Sequence, residues 1–153
     1  MCASTPSRRP NILFVITDDH QADAMGFVGH PVVKTPTLDG LARRGVSFSQ
    51  TTHAGSMLAA ICSPARACLL TGRGLVGSNS NPGPTNGPED TVTISSSAPT
   101  LPELLGGAGY ATFFTGKWHN DRESFLRSFQ SASSILHGGM CDHDAVPLIA
   151  DRE

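Results

Sequence analysis

An unbroken apolar run near the N-terminus places the strongest constraint on how this chain can fold. Residues 11–17 read N-I-L-F-V-I-T and lead directly into Asp18-Asp19. Continuous rather than alternating hydrophobicity is typical of a strand buried on both faces of a parallel sheet. Residues 110–115, Y-A-T-F-F-T, predict a second buried strand. Because helical segments separate the two runs, the order strand–helix–helix–helix–strand predicts an α/β fold.

Helices are expected where a capping residue and a terminating glycine bracket an apolar face. The predicted helices are 35–45 with Thr35 as cap, 63–70 with Pro64 at its start, one from the capping box Thr100–Glu103 to Gly109, and 122–130. Residues 74–98 are rich in Gly, Pro, Ser and Asn and are predicted to form a long flexible loop. Residues 137–153 show no clear period, and His137 and His143 are interpreted as surface or loop residues.

Composition and charge exclude several classes of protein. The chain has 153 residues, enough for one domain, and a net charge of -2 that predicts neither a nucleic-acid nor a membrane partner. The longest apolar run is far short of the ~20 residues of a transmembrane helix. No signal peptide is visible, so we expect a cytoplasmic protein as the sequence is written, or a periplasmic or secreted one if the N-terminus is incomplete.

The first chemical motif is the carboxylate pair Asp18-Asp19 at the end of the first predicted strand. Adjacent carboxylates repel one another, and a shared cation would relieve that repulsion. Oxygen ligands alone favour calcium or magnesium. The alternative is a solvated turn in which Asp19 caps the next segment.

The second motif places Cys62 at a helix N-terminus, with Arg66 four residues later. The helix dipole and the guanidinium both favour negative charge there, which predicts a reactive thiolate or an anion site. The alternative is a buried cysteine beside a surface arginine.

Lys117 and His119 form the third motif, at the end of the second predicted strand. Alternation along a strand would project both to one side, where a cation and an imidazole suit an oxyanion. The alternative is a snorkelling lysine and a hydrogen-bonded histidine.

Together these motifs resemble the signature of the sulfatase family. C-S-P-A-R at 62–66, followed by L-L-T-G-R at 69–73, is similar to the segment in which the cysteine of C-x-P-x-R is oxidised to formylglycine. R-P-N-I-L-F-V-I-T-D-D precedes it, and G-Y-A-T-F-F-T-G-K-W-H follows it, in the family's order. The resemblance covers residues 9–73 and 99–119.

The resemblance implies an alkaline-phosphatase-like sheet with helices on both faces, of which residues 1–153 would be an incomplete N-terminal portion. Asp18, Asp19 and the modified Cys62 would hold one divalent ion, usually calcium. Arg66 would hydrogen-bond the formylglycine hydrate. Lys117 would stabilise charge on the sulfate or the leaving oxygen, and His119 would position or protonate near it.

The modification of Cys62 has a chemical reason. Hydrated formylglycine is a geminal diol: one hydroxyl attacks sulfur, and the other then loses its proton so that the aldehyde re-forms as sulfate leaves. A serine lacks the second hydroxyl and would stall after the attack.

The implied function is hydrolysis of a sulfate ester on a small molecule or carbohydrate, with a separate maturation enzyme that generates formylglycine. Two alternatives stay open. One is a phosphonate or phosphate ester hydrolase of the same superfamily. The other is an inactive truncated fragment, because family members are several times longer and their C-terminal part supplies further metal ligands.

Overall fold

The structure is a computed structural model that describes residues 9–53, 55, 61–78 and 92–139. The chain divides into two compact units, Met1–Gln50 and Thr51–Glu153. Within the described residues no helix combines the length and the apolar character needed to cross a membrane.

The first unit contains helix α1 (Pro36–Arg44) and a short 3₁₀ turn (Gly26–Val28). The predicted helix is confirmed, and the Gly45 N–H ends it by donating to Leu41 O at 2.9 Å. The expected side-chain cap by Thr35 is absent, because its hydroxyl is used otherwise. Thr35 Oγ1 accepts from Gly26 N at 2.8 Å and donates to Asp39 Oδ1 at 2.7 Å. These bonds tie α1 to the 3₁₀ turn.

The apolar run at residues 11–17 does not form the predicted buried strand. It has no strand assignment, and its side chains are exposed, from 40% for Ile16 to 88% for Leu13. A strand needs a neighbour for its backbone N–H and C=O groups. The two strands within the described residues pair with each other, so this segment has no partner strand there.

The described residues of the second unit form four helices and two strands. In chain order they are α2 (Cys62–Thr71), α3 (Leu75–Ser78), α4 (Leu101–Gly107), β1 (Phe113–Lys117), α5 (Arg122–Ser128) and β2 (Ser131–Leu136). The predictions of α2, α4 and α5 are confirmed. Gly72 ends α2 in the left-handed conformation, and the reciprocal hydrogen bonds of a capping box begin α4 at Thr100.

The strands β1 and β2 are parallel, as an α/β fold requires, with α5 as the crossover between them. Lys117 pairs with Leu136 at the carboxyl ends of the two strands. Ser134 is an extra residue between two paired positions, and its φ of 55° marks a bulge there. The sequence did not predict β2, because S-A-S-S-I-L lacks a run of β-branched or aromatic residues.

An aromatic cluster packs beside β1 and forms the centre of the core. Trp118 and Phe125 are each 1% exposed, and their ring centroids lie 5.4 Å apart in an edge-to-face arrangement. Phe114 and Phe129 complete the cluster at centroid distances of 5.0–5.8 Å. Such pairs add to the free energy gained from burial alone. The core therefore holds the end of β1 in place.

The segment predicted as a loop over 74–98 is partly ordered into this unit. It begins with the helical turn α3, and residues 92–98 return to the core, where Val92, Ile94 and Ala98 are buried. Residues 79–91 lie outside the described residues.

Candidate active site

Cys62 is the first residue of α2, as the sequence predicted. Its thiol is free and half-buried. The next two residues, Ser63 and Pro64, are buried, so the start of the helix is fixed against the rest of the unit. Since the first N–H groups of a helix lack intrahelical partners, this end of α2 is suited to negative charge.

Arg66 lies one turn further along α2 and connects it to the end of β1. Its Nη1 donates a hydrogen bond of 2.6 Å to the backbone carbonyl of Lys117. Lys117 is the last residue of β1 and is half-buried. The structure thereby brings together two of the three predicted motifs, C-S-P-A-R and K-W-H.

A buried polar network reinforces this junction beside Cys62. Ser63 Oγ accepts from Val92 N at 2.8 Å and donates to Asn120 Oδ1 at 3.3 Å. Asn120 Nδ2 in turn donates to Trp118 O at 3.3 Å. Because Ser63 is 0% and Asn120 2% exposed, water does not compete for these bonds.

Asp121 anchors the residues that follow the site. Its Oδ1 accepts from Ser124 N at 2.7 Å and caps α5, while its Oδ2 accepts from Ile94 N at 2.8 Å. Its backbone carbonyl also accepts from Trp118 Nε1 at 2.9 Å. The Asp121 side chain therefore fixes the start of α5 and the 92–94 segment, and the Asp121 backbone carbonyl holds the Trp118 ring.

His119 lies outside β1, so the alternation of side chains along a strand does not place it on the same side as Lys117. The strand ends at Lys117, and His119 has left-handed backbone with a φ of 56°. The chain turns here because the Trp118 N–H still donates to Leu136 O at 2.8 Å while the Trp118 ring is held by Asp121. His119 is buried, at 3% exposure.

His137 directly follows β2 and lies outside the helices and strands, as expected of a loop residue. Its ring packs edge-on against Phe125, with centroids 5.3 Å apart, and the residue is half-buried. His143 lies outside the described residues.

Asp18 and Asp19 belong to the first unit, where they line an open cavity of about 500 Å³. The remaining lining residues are Thr17, His20, Gln21 and Ala24. Asp19 has a φ of 39°, the left-handed conformation that aspartate tolerates better than most residues. The His20 ring is held by a 3.0 Å contact between Nε2 and Ala24 O.

The carboxylate pair offers the type of ligand atom that calcium prefers, but too few ligand atoms to complete its coordination. Its oxygens are the hard ligands that calcium prefers, yet calcium takes about 6–8 of them. Within the described ranges no three His, Cys, Asp or Glu side chains are grouped as a metal site. These residues therefore supply at most part of a ligand set.

Sequence reasoning missed the positions that hold the site together. Asn120 and Asp121 directly follow K-W-H, and Ser63 occupies a variable position of C-x-P-x-R. No spacing pattern links residue 63 to residue 120. The one available signal was chemical, because Asn and Asp before a helical segment favour capping.

Comparison with known proteins assigns the chain to a family. A profile of the sulfatase family matches residues 10–132. The chain is 37% identical over 113 residues to N-acetylglucosamine-6-O-sulfatase from Bacteroides thetaiotaomicron, covering 74% of this chain and 18% of that protein. It is 38% identical over 125 residues to human N-acetylgalactosamine-6-sulfatase, covering 78% of this chain and 23% of that protein.

Among solved structures, Ps i-CgsB superposes with a TM-score of 0.68 at 31% identity, covering 86% of this chain and 29% of that one. The chain belongs to the sulfatase family, and its fold is the alkaline-phosphatase-like α/β fold of that family. It spans between 18% and 23% of the length of the two curated relatives.

Proposed function

We propose that this chain carries the nucleophile-bearing part of a sulfate-ester hydrolase. The observation that carries the proposal is the Arg66–Lys117 hydrogen bond, which joins the helix that begins with Cys62 to the strand end that leads into His119. Family membership supports the reaction class, since both curated relatives are named as sulfatases.

In this proposal the nucleophile is formylglycine made from Cys62. The conversion oxidises the β-carbon to an aldehyde and removes the sulfur, so it needs an external oxidant and a maturation enzyme that reads C-x-P-x-R. The hydrated aldehyde then presents one hydroxyl to attack sulfur and a second to expel sulfate. Support comes from the position of residue 62 in the first turn of α2, where the helix dipole would favour negative charge on the hydrate oxygen that attacks.

The cationic residues of the site would stabilise charge as it develops. The Arg66 guanidinium, which one N–H holds at Lys117 O, would hydrogen-bond the hydrate oxygen. The Lys117 ammonium would bind a sulfate oxygen. His119 would hold a proton for the ester oxygen that leaves.

We further propose that Asp18 and Asp19 bind calcium as two ligands of a larger set. A bound cation polarises the sulfate oxygens. Asp18 and Asp19 would supply carboxylate oxygens to this cation, and the cavity that they line together with His20 supports this assignment. Calorimetric titration with calcium should give binding that is lost in the Asp18→Asn/Asp19→Asn variant. Equal affinity in both proteins would rule these residues out as ligands.

The substrate class that we favour is a sulfated carbohydrate, because both curated relatives are named for 6-sulfated N-acetylhexosamines.

The reaction class is tested by comparing hydrolysis of an aryl sulfate with that of an aryl phosphodiester by the intact protein. We expect the sulfate to be hydrolysed with the higher kcat/KM. Preference for the phosphodiester, or turnover of neither ester, would contradict the proposal.

A further inference from the structure

Gly139 has almost no space for a side chain, and the group that fills the space is the His119 imidazole. A Cβ built on Gly139 would lie 2.0 Å from His119 Nε2 and 2.1 Å from Cε1. Real Cβ atoms do not approach a heavy atom this closely, so any other residue at this position would force one of the two groups to move. The bare backbone of Gly139 is therefore packed against one edge of the ring.

The topology explains why these two residues meet. The strands β1 and β2 are parallel and in register at Lys117 and Leu136. The residues that follow each strand consequently emerge at the same edge of the sheet, where parallel α/β proteins hold their sites. His119 follows β1 by two residues and Gly139 follows β2 by three.

His119 has little freedom to avoid such a collision. It is 3% exposed, and its backbone is already in the left-handed region with a φ of 56°. Its neighbours Trp118 and Asn120 are each buried and hydrogen-bonded. A displaced ring would therefore have to leave the orientation that these buried, hydrogen-bonded neighbours impose.

We propose that Gly139 is a positioning residue for His119: its backbone fixes the orientation of the imidazole at the carboxyl edge of β1. The inference rests on the proposed function, because it assigns the position of a ring expected to act on a sulfate ester. It adds a residue that follows β2 to a group whose other members lie on α2, on β1 and directly after β1.

A double-mutant cycle tests the contact itself. Gly139→Ala should lower the denaturant midpoint of unfolding when His119 is present and have a much smaller effect in the His119→Ala background, where the space is free. The matched control is Gly107→Ala, since a Cβ there meets nothing within 4 Å. Its effect should be the same in both backgrounds. If Gly139→Ala alone fails to fold, adding His119→Ala should restore folding, and equal effects or no rescue would overturn the proposal.

Two further measurements separate positioning from stability. In histidine-labelled protein, Gly139→Ala should shift the NMR signal of the His119 ring, assigned with His119→Ala, and leave that of His20 in place. With an aryl sulfate, kcat should fall roughly 10²-fold, as expected for a reacting group displaced by about 1 Å, at unchanged formylglycine content. An unshifted His119 signal, or full kcat in a folded Gly139→Ala protein, would overturn the positioning role. Absence of turnover in the wild type would instead overturn the proposed function, and the cycle would still decide whether Gly139 positions the ring.

Discussion

The Arg66 guanidinium donates a 2.6 Å hydrogen bond to the backbone carbonyl of Lys117, across 51 residues of sequence. This bond joins the helix that begins with Cys62 to the strand that ends at Lys117. In C-S-P-A-R the arginine is therefore a structural connection as well as a candidate catalytic cation. A substitution at Arg66 should consequently affect the fold and the chemistry together.

Arg66→Lys should lower the free energy of unfolding by about 1.5–3 kcal/mol, the range for losing a hydrogen bond that involves a charged group. A lysine keeps the charge but lacks the planar guanidinium and its five N–H donors. Chemical denaturation measures the change. The control is Arg73→Lys, because Arg73 Nη2 donates to Ser97 O at 2.9 Å at an exposed position. Equal losses for the two variants would contradict a special role for the Arg66 bond.

Ser63→Ala should also destabilise the protein by about 1–3 kcal/mol, because it leaves a buried N–H of Val92 and a buried Asn120 oxygen without their partner. It alters only a variable position of C-x-P-x-R, so conversion of Cys62 should continue. Denaturation and peptide mass spectrometry measure the two effects. Ser96→Ala, at an exposed position, should change neither. An unchanged stability for Ser63→Ala would show that the network contributes little.

Glu103 gives the fold a predictable dependence on pH. Burial by itself would raise the pKa of Glu103, but hydrogen bonds from Thr100 and from Arg127, at 2.5 Å, hold this pKa below its ordinary value of 4.5. Because the folded-state pKa is the lower one, the stabilisation is complete above pH 4.5 and is lost as the pH falls through the folded-state value.

Glu103→Gln keeps an oxygen for the capping box but loses the charge opposite Arg127. The wild type should therefore have the higher Tm at neutral pH, and the gap should close as the pH drops into the acid range. Thermal unfolding across that range measures the gap. A gap that is independent of pH would contradict the assigned role of the Arg127–Glu103 ion pair.

The sequence was sufficient to predict elements whose signals are local. The capping box at Thr100, the left-handed Gly72 after α2 and the helix following Asp121 each depend on neighbouring residues alone. The position of Cys62 in the first turn of α2 followed from the same kind of signal. Family resemblance then identified which of these elements carry chemistry.

Elements that depend on distant partners could not be predicted in this way. Residues 11–17 are apolar enough for a buried strand, yet within the described residues no neighbouring strand pairs with them. The strand β2 has weak local propensity and forms because β1 offers it a parallel edge. Likewise, the bond between Ser63 and Asn120 and the contact between Gly139 and His119 depend on tertiary packing.

In the proposed reaction Cys62 is the precursor of the nucleophile. The most direct test is mass spectrometry of the tryptic peptide 45–66, which ends at Arg66 and contains residue 62, taken from protein that hydrolyses an aryl sulfate. We expect the mass change of a CH₂SH group converted to an aldehyde, and no turnover in the Cys62→Ser variant, because a serine side chain lacks the second hydroxyl that expels sulfate. An unmodified thiol at residue 62 in active protein would contradict it.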